Sequence, residues 1–354
     1  MGRAEARPSE SVHAGNNEDV AQDVETMRKR LIFVFLTTIC STATALDPAA
    51  VRAAAAYSTA QGGTSILVLQ HGQTLFEQSA REAHKIFSGT KAFWGLAALA
   101  AAEDGLLSLD EPVAETIPEW RNDPRKARVT IRQLLDFSSG LEPVFRLHAN
   151  NPGDRDRIAI RAPIIGSPGS SFIYGPSALQ VFHQVLKQKL RGETPTGYLE
   201  RRVLRRLGLG SQRYLKDRAG NPLLASGWEM SARQWARLGE VVLANGAPAV
   251  KSGSLAQAWR GSPANRAFGF GWWNNQAAPG GHEFDFEDAL RANWPRQSWG
   301  GAALCRDAPS DLVASIGSGR QRLYVIPSMD LVVVRFGSGA RFSDGRFLRL
   351  LLAK

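Results

Sequence analysis

Cysteine is nearly absent from this 354-residue chain: Cys40 and Cys305 are the only two. Two thiols exclude a disulfide scaffold and a thiolate zinc cluster. Lysine is scarce too. Only nine of the 43 basic residues are lysine, so each one has to be placed individually. The six histidines (13, 71, 84, 148, 183 and 282) show no H-E-x-x-H or other metal-ligand spacing. There is no P-loop, no G-x-G-x-x-G behind a strand and no G-x-S-x-G elbow. Those absences argue against nucleotide binding and against an α/β-hydrolase. Neither a cofactor nor a metal is expected.

What is present is a chain able to fold. Hydrophobic residues make up 44% and charged residues 21%, so a globular core is expected and whole-chain disorder is not. The formal charge is +10. The arginines are scattered, and their densest group (Arg201, Arg202, Arg205, Arg206) reads as one face of an amphipathic helix. No nucleic-acid partner is expected on that pattern; the charge suits work near anionic envelope polymers.

Residues 27–45 read MRKRLIFVFLTTICSTATA. Arg28, Lys29 and Arg30 precede a short apolar run, Leu31 to Ile39, and Ala43-Thr44-Ala45 is a small-x-small cleavage pattern. This is the form of a secretory signal peptide, too short in its apolar part for a stable membrane anchor. The expectation is an exported protein, periplasmic or secreted, with Met27 as the natural start. Residues 1–26 then form an upstream extension or disordered tail, and residues 46–354 form one catalytic unit.

Along that unit no repeat and no low-complexity linker appears. Residues 47–60 are alanine-rich and helical in character. Residues 64–70 and 73–77 read as strands joined by His71-Gly72, a hairpin. The stretch IFSGTKAFWGLAALAAAEDG reads as a helix begun near Ser88 and ended by Gly105, apolar almost all round and therefore buried. Residues 131–136, 176–192 and 196–207 read as further helices, as does the run from Ser231, an N-cap candidate, to Gly246. Strand-like runs follow at 312–316, 321–326 and 330–336, then a helix over 343–353. Strands at both ends with helices between predict an α/β or α+β fold: one antiparallel sheet built from the two termini, flanked by helices, with a mostly helical insert over roughly 106–300.

Three elements carry chemistry. Ser88-Gly89-Thr90-Lys91 is the only S-x-x-K in the chain. Positions i and i+3 share a helix face, so Lys91 can reach the Ser88 hydroxyl. A lysine at the base of an apolar helix is desolvated, which lowers its pKa and lets it act as a base. PGSSFIYGPS, residues 168–177, presents Tyr174 just before a helix, placed to share a proton with Ser88. Gly317-Ser318-Gly319 lies between two apolar strands, where glycines permit close approach of a backbone. An amide there, paired with the N–H of Ser88, suits an oxyanion.

The order of these elements resembles the serine β-lactamase and penicillin-binding protein superfamily. The likeness runs over roughly residues 50–352 and includes GLLSLDEPV, TIRQLLDFSSGL, FGFGWW and RLYVIPSMDLVVV. It is nearest to the class C-like branch with its family VIII carboxylesterases. The resemblance implies Ser88 as acylated nucleophile, Lys91 as its base, Tyr174 as proton-transfer partner, and an oxyanion hole from Ser88 and a residue around Ser318.

Two departures stand out. The family's Y-x-N is here Tyr174-Gly175-Pro176. Its third motif, K-[ST]-G or H-[ST]-G, is here Ile316-Gly317-Ser318-Gly319-Arg320, without the lysine that holds a β-lactam carboxylate. Arg320 is one candidate substitute. Lys251-Ser252-Gly253 matches K-[ST]-G in letters but reads as a decoy. Loss of both groups favours a carboxylesterase acting on a small ester or amide. A D,D-peptidase or weak β-lactamase, and a catalytically silent binding protein of the same fold, stay open. Trp272, Trp273, Trp294 and Trp299 are read as aromatic core or cleft wall.

Overall fold

The computed structural model describes residues 45–276, 282–289, 299, 302–338 and 341–354. The proposed signal segment up to Thr44, and Trp294, lie outside the described residues. The chain enters through helix α1, Pro48–Ala60, whose first turn is fixed by Pro48 and by Asp47 accepting from Ala49 N. Strands β1, Gly63–Gln70, and β2, Gln73–Gln78, follow as the expected hairpin. Its tip, His71-Gly72, has φ of 52° and 71°, the left-handed pair that a two-residue hairpin turn needs. Next comes α2, Thr90–Glu103, in which every residue from Thr90 to Ala101 is buried. Helices α3, Ser177–Lys189, and α4, Ala232–Leu243, belong to the middle of the chain. Ser231 caps α4 in a capping box with Gln234.

The C-terminal third supplies β3, Trp273–Asn274, β4, Val313–Gly317, β5, Gln321–Ile326, β6, Leu331–Gly337, and helix α5, Asp344–Leu351. These join β1 and β2 in one antiparallel sheet of order β2-β1-β6-β5-β4-β3. Leu67 stands opposite Val334, and Val333 opposite Tyr324. The sheet is therefore closed by the two chain ends, as the sequence predicts.

Both faces of the central strands are buried, which explains why β6 reads LVVVRFG rather than alternating. The period of two still sorts the side chains. Val332 and Phe336 face α4, through Gly239 and Trp235. Arg335 points the other way, to Ser58 of α1 and the Phe342 ring, and Tyr324 packs on Phe347 of α5.

That second face carries buried charge. Arg322, fully enclosed, donates to Asp344 at 2.6 and 3.0 Å and to Glu287 at 2.8 Å, and the Tyr324 hydroxyl also donates to Asp344. Removing one partner of such a group strands the others without water. Asp344→Ala is expected to cost about 3–5 kcal/mol of stability. Urea unfolding measures it; a loss under about 1 kcal/mol, the range of exposed pairs, would mean that the network is hydrated.

Candidate active site

The start of α2 is held from three sides. Ser88 sits in a single 3-10 turn, Phe87–Gly89, that runs straight into the helix. Phe87 is left-handed, at φ 44°. That backbone is uncommon for a bulky residue and is kept only where packing over-determines it. Nothing in the sequence signals it.

Lys91 lies one turn on, 2% exposed. Its Nζ donates to Ser88 Oγ at 2.8 Å and to the Ala225 carbonyl at 2.8 Å. Burial alone pulls its pKa from 10.5 down to about 7. The Ala225 contact comes from 134 positions away and has no signature that a sequence reading could use, since every residue has a carbonyl.

Tyr174 closes the group. It is 3% exposed and hydrogen-bonded to Ser88, and its ring centroid lies 4.9 Å from Lys91 Nζ. Desolvation drives its pKa up, and the bond to Ser88 opposes this only in part. The phenol therefore stays protonated at neutral pH. Around it stands an aromatic wall: Phe137 at 5.2 Å and 83°, Phe268 at 5.9 Å, Phe286 at 5.6 Å and Trp273 at 6.2 Å between centroids. Trp299 packs on Trp273 in the same cluster, whereas Trp272 turns away to Trp259.

Strand β4 runs beside the serine turn. Ser315 Oγ donates to the Gly89 carbonyl at 3.2 Å. A Cβ on Gly317 would lie 2.1 Å from the Ile86 carbonyl, so only glycine fits there. Gly319 comes next to Phe87. The hairpin Gly317-Ser318-Gly319 thus follows residues 86–89, with Ser318 half-buried and Gly319 exposed. A second close approach explains the FGFGWW segment. Gly271, at φ 84°, would place a Cβ 2.5 Å from the backbone of Lys91 and Ala92.

Arg320 is not a free cation. Its guanidinium pairs with Asp285 and, at 3.2 Å, with Glu287, and its backbone N–H donates to Glu287 Oε1 at 2.8 Å. Asp285 and Glu287 were not foreseen from the sequence. Lys251-Ser252-Gly253 is exposed, and Lys251 N donates to Glu103, at the end of α2 opposite Ser88. Fourteen residues of helix put about 20 Å between the two, so the motif is a decoy.

Comparison with known proteins agrees with this architecture. Residues 49–353 match the family described as Beta-lactamase. The acyltransferase calJ of Penicillium decumbens is 28% identical over 151 residues, which is 35% of this chain and 36% of the relative. The lovastatin esterase of Penicillium rubens is 27% identical over 154 residues, 36% of this chain and 38% of that protein. The match therefore spans little more than a third of the length of these curated relatives. Among solved structures, a class C beta lactamase from Rhodobacter sphaeroides superposes with a TM-score of 0.62 at 17% identity, covering 87% of this chain and 99% of the other. At that identity it shows the fold alone. The family match over nearly the whole described chain gives the conclusion, and the shared fold agrees with it: the chain belongs to the β-lactamase family.

Proposed function

We propose that this protein is an exported serine hydrolase that cleaves carboxylic esters through an acyl-enzyme on Ser88. The observation that carries the reading is the Lys91 amine, 2.8 Å from Ser88 Oγ, buried, and with a pKa of about 7. An ordinary lysine is a cation at neutral pH and takes no proton; burial shifts this one toward the free base.

The chemistry runs in two halves. Ser88 Oγ attacks the ester carbonyl and its proton passes to Lys91 Nζ. The carbonyl oxygen becomes an oxyanion, held by the N–H of Ser88 and an amide of Gly317-Ser318-Gly319. Collapse breaks the bond to the alcohol, which leaves with a proton relayed by Tyr174. Water then attacks the acyl ester and Lys91 takes its proton; collapse breaks the bond to Ser88 Oγ, Lys91 returns the proton to that oxygen, and the carboxylic acid leaves. Export rests on the basic, apolar and small-residue series of residues 28–45.

An ester rather than a β-lactam is favoured by Arg320. The arginine that follows the third motif is already neutralised by Asp285 and Glu287, leaving it poorly placed to bind a carboxylate beside the scissile bond.

A fluorophosphonate probe tests the proposal. It is expected to label the folded protein once, with mass spectrometry placing the adduct on Ser88. No adduct, or an adduct elsewhere, overturns it. Tyr174→Phe keeps the ring packing and removes the relay, and is expected to lower kcat about 10²-fold with KM little changed. An unchanged kcat would take Tyr174 out of the proton path.

A further inference from the structure

A groove of about 800 Å³ opens beside the Tyr174 motif. Its near wall is Pro143 and Val144. Pro143 packs against Gly175, where a Cβ would be 2.3 Å from Pro143 Cβ, and Val144 N donates to Ser177 Oγ at 2.9 Å. The wall continues through a 3-10 turn, Phe145–His148. His148, at the end of that turn, is within electrostatic reach of Lys91. One backbone segment, residues 143–146, thus lines the groove and packs on Gly175 and Ser177, which follow Tyr174.

Its lining has two characters. Pro143, Val144, Phe145, Ile158, Ala162 and Pro163 form an apolar strip. Phe145 is 51% exposed, the most exposed large hydrophobic among the described residues. The other side is cationic. Arg157 and Arg161 stand four apart on the short helix Arg155–Arg161, and Arg146 comes from the 3-10 turn. Residues four apart share a helix face. Among the described residues none of the three arginine side chains is paired with a carboxylate. The acids in the lining are Glu142 and Asp154. Asp154 is engaged, accepting from Arg157 N as N-cap at 3.0 Å and from Asn221 Nδ2 at 3.0 Å.

An apolar strip beside unpaired guanidinium groups matches an aliphatic chain that ends in an oxyanion. We propose that this groove binds the carboxylate-tipped end of the substrate, and that Arg157 and Arg161 set this specificity. The inference deepens the ester-hydrolase reading and rests on it for the identity of the reacting group. The groove is separate from the Arg320 hairpin, so the carboxylate sits at the far end of the chain and not beside the scissile bond. Paired guanidinium donors suit a planar carboxylate, and a charge-assisted bond is the stronger kind.

The test uses matched esters: mono-p-nitrophenyl decanedioate and p-nitrophenyl decanoate. The wild-type chain is expected to favour the carboxylate-tipped ester by about tenfold in kcat/KM. In the double variant Arg157→Gln/Arg161→Gln the ratio is expected to fall close to one. Equal use of both esters by wild type, or a preference that survives in the double variant, overturns the groove. If neither ester is cleaved, the hydrolase reading fails and calorimetric titration with decanedioate decides the groove separately. About tenfold weaker binding to the double variant than to wild type supports it, and equal binding or none to wild type overturns it.

Discussion

Replacing Ser88 by alanine is expected to cut hydrolysis of a short-chain p-nitrophenyl ester by about 10⁴-fold or more. The serine is the atom that forms the covalent bond in the proposed reaction, so no neighbour substitutes for it. The fold is expected to persist, at a cost of about 1–3 kcal/mol for the buried Tyr174 hydroxyl and Lys91 amine that lose their bond to Ser88. Ser88 is half-buried in a 3-10 turn, and its hydroxyl is a partner rather than a support. Lys91 keeps its bond to the Ala225 carbonyl, and the Ser315 bond to Gly89 O is untouched. Probe labelling and turnover should vanish together while the chain still melts in one cooperative transition. Full hydrolysis by Ser88→Ala would end the acyl-enzyme account. Retained penicillin-type labelling at Ser88 in the native chain, lost in Lys91→Ala, would move the substrate class toward cell-wall peptides without moving the nucleophile.

The sheet and the serine–lysine pair were legible in the sequence because their causes are local. The i, i+3 spacing of Ser88 and Lys91 needs only a helix, and the alanine-rich run after Lys91 predicts one. The apolar runs that became β4, β5 and β6 are continuous because both faces are covered, a pattern that survives without knowing what covers them. What stayed hidden is non-local. The second partner of Lys91 is a carbonyl 134 positions on, and the left-handed turn at Phe87 falls on a residue type that gives no sign of it. The neutralisation of Arg320 by Asp285 and Glu287 reverses the role that the sequence offered it. From letters alone an arginine next to a glycine hairpin is a possible anion clamp. With two carboxylates on it, the same arginine fastens the hairpin to the 282–289 segment, and Phe286 between those acids packs on Tyr174. Phe284 adds a contact to Trp273, so the aromatic wall and the charged fastening come from one short stretch. That dual attachment is tertiary and could not be read from either segment separately.

Lys91→Ala is expected to lower kcat/KM about 10³-fold, and the pH profile says why. Burial holds the wild-type amine near pKa 7, so its free-base fraction rises as pH passes through about 7. The rate should climb over that interval and level off above it. Lys91→Arg keeps a positive charge and hydrogen-bond donors but cannot lose its proton, and is expected to restore little. The same shift acts on stability, with a sign that can be fixed. Unfolded, the lysine titrates near 10.5; folded, near 7. Between those values the unfolded chain binds the extra proton, so stability rises with pH across the window. Below about 7 both states are protonated and the folded chain carries the full cost of a buried ammonium. Lys91→Met removes the titrating group at similar length. Its gain over wild type should therefore be largest below neutrality and shrink toward 10.5, in urea unfolding followed over pH. The two profiles separate two roles. A stability slope with a rate that is flat across neutrality would leave Lys91 buried but idle as a base. A rate that rises through about 7, lost in Lys91→Ala and not returned by arginine, makes the desolvated amine the group that takes the Ser88 proton.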